Sequence, residues 1–312
     1  MTNKIPHNNL LLMTDVYKAY GEKVVLDNID LSVAAGELCT VVGPSGCGKS
    51  TLLRLILGQE RATRGEIYVD GNPVGYPDPQ RGIVYQKYSL FPHLSVLENV
   101  MLGKNFTTGL PDRILHRKRI QEEAVYYLEK VDLAEHYQKY PHELSGGMQQ
   151  RVAIAQALIM KPRIILMDEP FGALDPGTRE RMQVFVLQLW EEFDMTVFFV
   201  THDLEEAVYL GTRILVLSQY YSDGRDEETC SRGAKIVADY PLARRAESTM
   251  VKATSEFGDL IQTIRREGFD PDYRQHVTDF DLKHPDAFQT LTEEEMRPNH
   301  VAANTDRHSK TE

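Results

Sequence analysis

Apolar and polar positions are spaced along most of the chain in ways that predict its elements. Residues 10–16 and 23–33 read as strands separated by a turn. Residues 37–42 are a short, largely apolar run that ends in a glycine-rich turn, which predicts a buried strand. Leu52, Leu53, Ile56 and Leu57 then recur at helical spacing and predict a helix over 50–57. Residues 66–70 predict a strand closed by the Asp70-Gly71 turn. Ile120, Ala124, Tyr127, Leu128 and Val131 share one face of a helix over 119–131. Another helix is expected over 148–160, stopped by Lys161-Pro162 because proline cannot continue it. Residues 164–167 and 196–200 lack polar alternation, the pattern of parallel strands covered on both faces, and 214–217 adds a further strand. Strands alternating with helices in this way predict an α/β fold, and no internal repeat is visible.

After Ser218 the pattern changes. Residues 219–233 are polar and read as a loop or insertion. Phe257, Leu260, Ile261 and Ile264 predict one more amphipathic helix, capped by Gly268. From Asp270 onward apolar clusters are few, and the segment holds ten acids against five Lys or Arg, a net −5. It reads as a solvated end, with the last fifteen or so residues expected to be disordered.

Composition narrows the function classes. The 312 residues carry 35 Lys and Arg against 46 Asp and Glu, a formal charge of −11, with a mean hydropathy of −0.38. A spanning helix needs about 20 consecutive apolar residues. No run approaches that, so this chain is not expected to cross a membrane. Residues 1–9 show no apolar stretch of the signal-peptide kind, so export is not expected. Cys39, Cys47 and Cys230 form no CxxC pair and suit a reducing cytoplasm. The acidic balance opposes general nucleic-acid binding, which rests on clustered Lys and Arg.

The candidate chemistry begins at Gly43-Pro44-Ser45-Gly46-Cys47-Gly48-Lys49-Ser50, followed by Thr51. It fits GxxxxGK[ST] and lies between a predicted strand and a predicted helix, the context this motif requires. The glycines let backbone N–H groups turn inward toward anionic oxygens, and the helix adds its positive end. Lys49 reaches the outer phosphates and the Ser50 hydroxyl can ligate Mg²⁺. Cys47 is read as a small side chain that fits the loop. The strand at 164–167 ends in Asp168-Glu169. A carboxylate there can hold Mg²⁺, the role assigned to Asp168, while Glu169 polarises the attacking water. His202 closes the strand at 196–200 and could contact the γ-phosphate and that water. Taken singly, a strand-end acid pair or a lone histidine is as often structural; the ordered set gives them weight.

Leu144-Ser145-Gly146-Gly147-Met148-Gln149-Gln150-Arg151 resembles the signature sequence of ATP-binding cassette (ABC) ATPases. Ser145 suits an N-cap, and the two glycines bare backbone N–H groups at the start of a helix. The resemblance covers about residues 10–220. It includes Tyr20, matching the family's adenine-stacking aromatic, Gln86, matching the glutamine that links Mg²⁺ and water to the helical subdomain, and Gly172-Ala173-Leu174-Asp175, matching the dimer-contact loop. Met148 stands where the commonest signature has Gln. Within the family, residues 86–100, 145–157, 171–176 and 201–208 are most similar to ATPases of bacterial nitrate, sulfonate and taurine importers.

The resemblance implies a P-loop core of the RecA type with an antiparallel β subdomain, an inserted α-helical subdomain and a C-terminal tail. The ATPase domain is then 10–225 with helices over about 88–160, followed by an extension over 226–269 and the acidic tail 270–312. It implies ATP and Mg²⁺ as ligands, with Ser50, Gln86 and Asp168 around the metal and Lys49, Glu169 and His202 in catalysis. Tyr20, residues 43–51 and Gln86 bind the nucleotide of one subunit, while Ser145, Gly146, Gly147 and Asp175 act across a homodimer. Permease subunits would be the membrane partners, a solute-binding protein would act indirectly, and the cytoplasmic membrane face would be the site of action. An exporter or lipid-transport ATPase and a soluble, non-transport cassette remain as alternatives. A kinase or GTPase reading is opposed by the Ser145 motif and His202. Tyr88, Leu90, Phe91 and Pro92 are read as an apolar cluster that meets the permease, packs in the helical subdomain, or both. The tail is read as a helix packed on the core followed by a disordered end, with regulation as the competing reading. His276, His284, His300 and His308 are too scattered to suggest a metal site.

Overall fold

The chain builds a seven-stranded sheet with most helices on one face and one helix with a smaller antiparallel sheet on the other. The computed structural model describes residues 9–86, 89–107, 116–225, 232–242 and 254–297. The elements begin with β1 (Asn9–Tyr20) and β2 (Lys23–Ala34), an antiparallel hairpin, then β3 (Leu38–Val42) and α1 (Lys49–Leu57). β4 (Arg64–Val69) and β5 (Asn72–Pro73) complete the antiparallel sheet in the order β2-β1-β4-β5. After β6 (Arg81–Tyr85) come α2 (Val96–Thr107), α3 (Arg117–Lys130) and α4 (Gly146–Leu158), the inserted helical subdomain. β7 (Ile164–Asp168), α5 (Pro176–Phe193), β8 (Thr196–Val200), α6 (Leu204–Leu210) and β9 (Arg213–Ser218) return to the core. β10 (Tyr221–Ser222), β11 (Lys235–Pro241), α7 (Ser255–Phe269), β12 (Gln275–His276) and β13 (Asp281–Leu282) finish the described chain.

The large sheet runs β13-β11-β9-β3-β8-β7-β6, with β6, β7, β8, β3 and β9 parallel and β11 antiparallel to β9. The unbroken apolar runs are explained by which side each residue faces. In β8, Val197 and Phe199 join the core shared with the helices, whereas Phe198 and Val200 join the core under α1 and the β1–β2 hairpin. Successive side chains point to opposite faces, and both faces are covered. No described helix is long and apolar enough to cross a membrane.

The predicted elements are found with shifted ends, and several regions differ from expectation. β1 extends past Val16 to Tyr20 because a left-handed Asp15 (φ 50°) bulges the strand and lets it resume pairing. Gly268 is not the cap of the C-terminal helix. It lies inside α7, where a Cβ would come within 2.4 Å of Val216 Cγ1, so glycine is needed for close helix–sheet packing. The acidic stretch after 270 is fastened to the core through residue 297. β13 adds an edge strand parallel to β11, Thr290 donates through its N–H to Asp30 at 2.6 Å, and Lys235 pairs with Glu295 at 2.8 Å with both side chains buried. The expected disorder of the last fifteen residues falls outside the described residues.

The polar stretch after Ser218 also differs from a simple loop. Tyr221 and Asp223 are fully buried, and Arg225 bridges Asp223 and Asp27. Among the described residues, Asp223, Arg225 and Arg232 pair with one another and with Asp27 inside the fold, where the polar pattern predicts a loop or insertion.

Candidate functional site

β3 is buried at every position and delivers the chain to the C-terminal end of the parallel strands at Gly43. A Cβ on Gly43 would lie 2.0 Å from the carbonyl oxygen of Leu217 in β9, so only glycine lets the turn pass. Residues Pro44, Ser45 and Gly46 then arch outward, and Ser45 and Gly46 are exposed. Cys47 and Thr51 point into the core, and burial pushes the Cys47 thiol up, away from reactivity. Gly48 caps α1 without a side chain, so the first N–H groups of that helix receive no side-chain cap. Lys49 Nζ donates to the carbonyls of Gly43 at 2.7 Å and Pro44 at 3.0 Å, which holds the ammonium over the loop. Loop donors, a helix N-terminus and one ammonium make an anion cradle.

The neighbouring strands bring carboxylates to this cradle. Asp168 ends β7, half-buried, and accepts from Ser50 Oγ at 3.2 Å. Burial raises its pKa, reinforced by the Glu169 charge and opposed by the Ser50 hydrogen bond and by Arg54 and Lys49. Glu169 turns out of the strand in the left-handed region (φ 46°), fixed by its N–H donating to Val200 O at 3.0 Å. Its Oε2 lies 3.4 Å from Nδ1 of the exposed His202, which follows β8. Tyr85 pairs with Asp168 across the sheet, so Gln86 leaves β6 beside the acids. The Gln86 amide lies over Gly172, where a Cβ would come within 2.7 Å of Nε2. The Ser50 hydroxyl, the Asp168 carboxylate and an amide oxygen are the hard donors that suit Mg²⁺.

The other sequence-predicted residues make their contacts outside this cluster. Ser145 caps α4, its side chain accepting from Met148 N at 3.4 Å, and Gly147 lies against Thr178. Asp175 caps α5 and accepts from Thr178 N at 3.0 Å; hydrogen bonds from Thr178 lower its pKa. Tyr20 is 45% exposed and donates to Glu60, with Lys18 Nζ 4.8 Å from its ring centre. Among the described residues, no hydrogen bond joins Ser145, Gly146, Gly147 or Asp175 to the cluster formed by 43–51, Gln86, Asp168, Glu169 and His202.

One group beside the site escaped sequence reading. Glu206, 5% exposed, accepts from Thr201 Oγ1 at 2.6 Å and Gln183 Nε2 at 3.0 Å. It sat within a segment noted only for its resemblance; that helix start, with Asp203 ahead of a Glu pair, was the available signal. Burial raises the Glu206 pKa above its ordinary value near 4.5, against the pull of its two hydrogen bonds. Folding therefore disfavours the charged form relative to the unfolded chain. Below about pH 4.5 the charge costs nothing; the cost grows as pH rises toward the folded pKa and is complete above it. Glu206→Gln is accordingly expected to be more stable than the parent at pH 7 and to lose that advantage near pH 4. Urea unfolding at the two pH values checks this, and a parent that is the more stable at pH 7 would contradict it.

The chain matches the protein family described as ABC transporter over residues 26–172. It is 39% identical over 251 residues to the aliphatic sulfonates import ATP-binding protein SsuB of Bacillus cereus, a match spanning 79% of this chain and 94% of that relative. It is 45% identical over 212 residues to the nitrate import ATP-binding protein NrtD of Synechocystis, covering 67% and 77% of the two chains. Among solved structures it is similar to a dimeric ATP-binding cassette in a post-hydrolysis state with ADP and Pi, with 35% identity and a TM-score of 0.56 over 66% of this chain and 93% of that one.

Proposed function

We infer the function from this premise: the chain belongs to the family of ABC transporter ATP-binding proteins, and it is an ATPase. The observation that carries the detailed reading is the convergence of Lys49, Ser50, Asp168, Glu169 and His202 at the ends of adjacent parallel strands. In this reading the N–H groups of loop 43–51 take the phosphates, and Lys49 exchanges its loop carbonyls for the outer phosphate oxygens. Ser50, Asp168 and Gln86 would hold Mg²⁺, which would screen phosphate charge. Glu169 orients the attacking water and takes its proton, while His202 faces the transferred phosphoryl group. Tyr20 supplies its exposed ring to the adenine. Catalysis is positioning and charge stabilisation, with no covalent intermediate.

Ser145, Gly146, Gly147 and Asp175 complete the site of a second copy in this reading, since Ser145 and Asp175 are exposed helix caps that make no hydrogen bond to their own cradle among the described residues. Gly146→Asp would set a carboxylate against phosphate; two like charges about 4 Å apart repel by about 4 kcal/mol at an effective dielectric of about 20. ATP-dependent association is expected to weaken at least about a hundredfold. Light scattering with ATP reads this directly, and a dimer that survives the change would count against a shared site.

The relatives that import sulfonates and nitrate support uptake of a small solute of that kind through separate permease subunits, with the chain peripheral on the cytoplasmic face. A solute-binding protein would deliver the solute on the other side. Leu90 packs against the helical core whereas Phe91 and Pro92 are exposed, so the latter two are the candidates for permease contact. Tyr88 lies outside the described residues. The test is uptake of nitrate, taurine and alkanesulfonates in cells lacking this chain, complemented by wild type or by Glu169→Gln. Uptake restored by wild type alone supports import; uptake of every candidate unaffected by the deletion rejects this solute class.

A further inference from the structure

The loop carrying His202 is gripped by buried groups that have no part in the nucleotide contacts above. Thr201 is 2% exposed and its N–H donates to Val41 O at 3.2 Å, at the end of the strand that leads into the phosphate loop. Its hydroxyl donates to Glu206 at 2.6 Å and accepts from Asp203 N at 3.1 Å, so it brackets His202 from both sides. Glu206 takes its second hydrogen bond from Gln183, which is 3% exposed and sits on α5 about two turns from the Asp175 cap. One turn nearer that cap, Arg179 donates to Leu174 O at 3.3 Å and lies 3.8 Å from the Asp203 carboxylate. At the same helix start Thr178 meets Gly147 of the signature helix. The first two turns of α5 thus touch the Asp175 loop, the signature helix and the His202 loop.

We propose that Glu206, Gln183 and Arg179 are positioning residues for hydrolysis, setting His202 against the nucleotide and tying its placement to the start of α5. This rests on the reading above that His202 faces the nucleotide. A buried carboxylate with donors from two elements is a stiff joint, because moving either donor away leaves a buried polar group unsatisfied. The Arg179 contact, longer and partly exposed, is the weaker arm. Movement at the α5 cap when a second copy closes is carried to Thr201 through this joint, although none of the three residues touches ATP.

The test uses the full chain, measuring steady-state ATP hydrolysis and binding of a fluorescent ATP analogue. Glu206→Ala is expected to lower kcat about tenfold or more while KM and analogue affinity stay within about twofold. Glu206→Gln, which keeps both hydrogen bonds if the Gln183 amide reverses, is expected to retain at least about half of the wild-type kcat. Combined with His202→Ala, Glu206→Ala is expected to add less than about a twofold further loss, because both changes act on the same group. Gln183→Met, close in volume, supplies the same tests without opening a cavity. A wild-type kcat in both Glu206→Ala and Gln183→Met, losses that multiply with His202→Ala, or a parallel loss of affinity would overturn the proposal. If His202→Ala itself turns over normally, the His202 reading falls and takes this proposal with it. If His202→Ala is impaired while Glu206→Ala and Gln183→Met are not, only this proposal falls.

Discussion

Glu169→Gln is expected to bind ATP as the parent does and to hydrolyse it roughly a thousandfold more slowly. The change is nearly isosteric, and the side chain starts from a backbone held in the left-handed region by the hydrogen bond to Val200, so position is retained. The amide oxygen still lies within reach of His202, but it cannot take up the proton of the attacking water. Removal of a general base costs about 10²–10⁴ in rate, whereas binding rests on the loop, Lys49 and the metal ligands, all unaltered. Since ATP then persists between the subunits, the variant should accumulate as an ATP-bound dimer. Hydrolysis and light scattering in the same samples check both halves. Near-normal turnover in this variant would remove Glu169 from the mechanism.

Glu295→Ala is expected to cost about 3–5 kcal/mol of stability and to lower the melting temperature by about 10 °C, with the ATP site intact. Glu295 and Lys235 lie 2.8 Å apart with side chains 1% exposed, and Glu295 also accepts from Thr292 N at 3.0 Å. Burial pushes the Glu295 carboxyl up, but the adjacent Lys235 charge outweighs this and holds it below its ordinary value near 4.5. Its contribution is therefore present above about pH 4.5 and is lost as pH falls through the folded value. Alanine leaves a buried ammonium without its closest acid, which explains the size of the effect. Lys235→Met added to Glu295→Ala should recover most of the loss, because the buried ammonium left without its acid is then removed as well. Thermal unfolding of the single and double variants decides; a single variant that melts with the parent would mean that this end of the chain is not fastened.

These two residues mark the limits of sequence reading in this protein. Glu169 was identifiable because a strand-end acid pair downstream of a phosphate-loop motif has a recognisable local pattern. Glu295 carried no such pattern. It sits in a polar stretch where the partner is Lys235, sixty residues earlier by number, and nothing local distinguishes a buried acid from a solvated one. Asp175-Pro176 and the apolar positions Met182, Phe185, Val186 and Leu189 signal a helix at α5, whose start coincides with the loop that carries the family resemblance. Gly268 was misread because a glycine near a helix end is usually a cap; only the 2.4 Å approach to Val216 shows its packing role.

By itself the sequence determined the phosphate-loop motif, the acids and histidine that accompany it, the buried strands and the helices with clear periodicity, and the family those motifs resemble. All of these depend on neighbours along the chain, on periodicity or on short spacings, which the sequence states directly. The tertiary structure decided which charges are buried and paired, how the C-terminal segment is tied to the first strands, and how Glu206 joins α5 to the His202 loop. Those outcomes depend on desolvation and hydrogen bonding between residues far apart in number, and the same polar letters describe a charge left in water or one locked inside the fold.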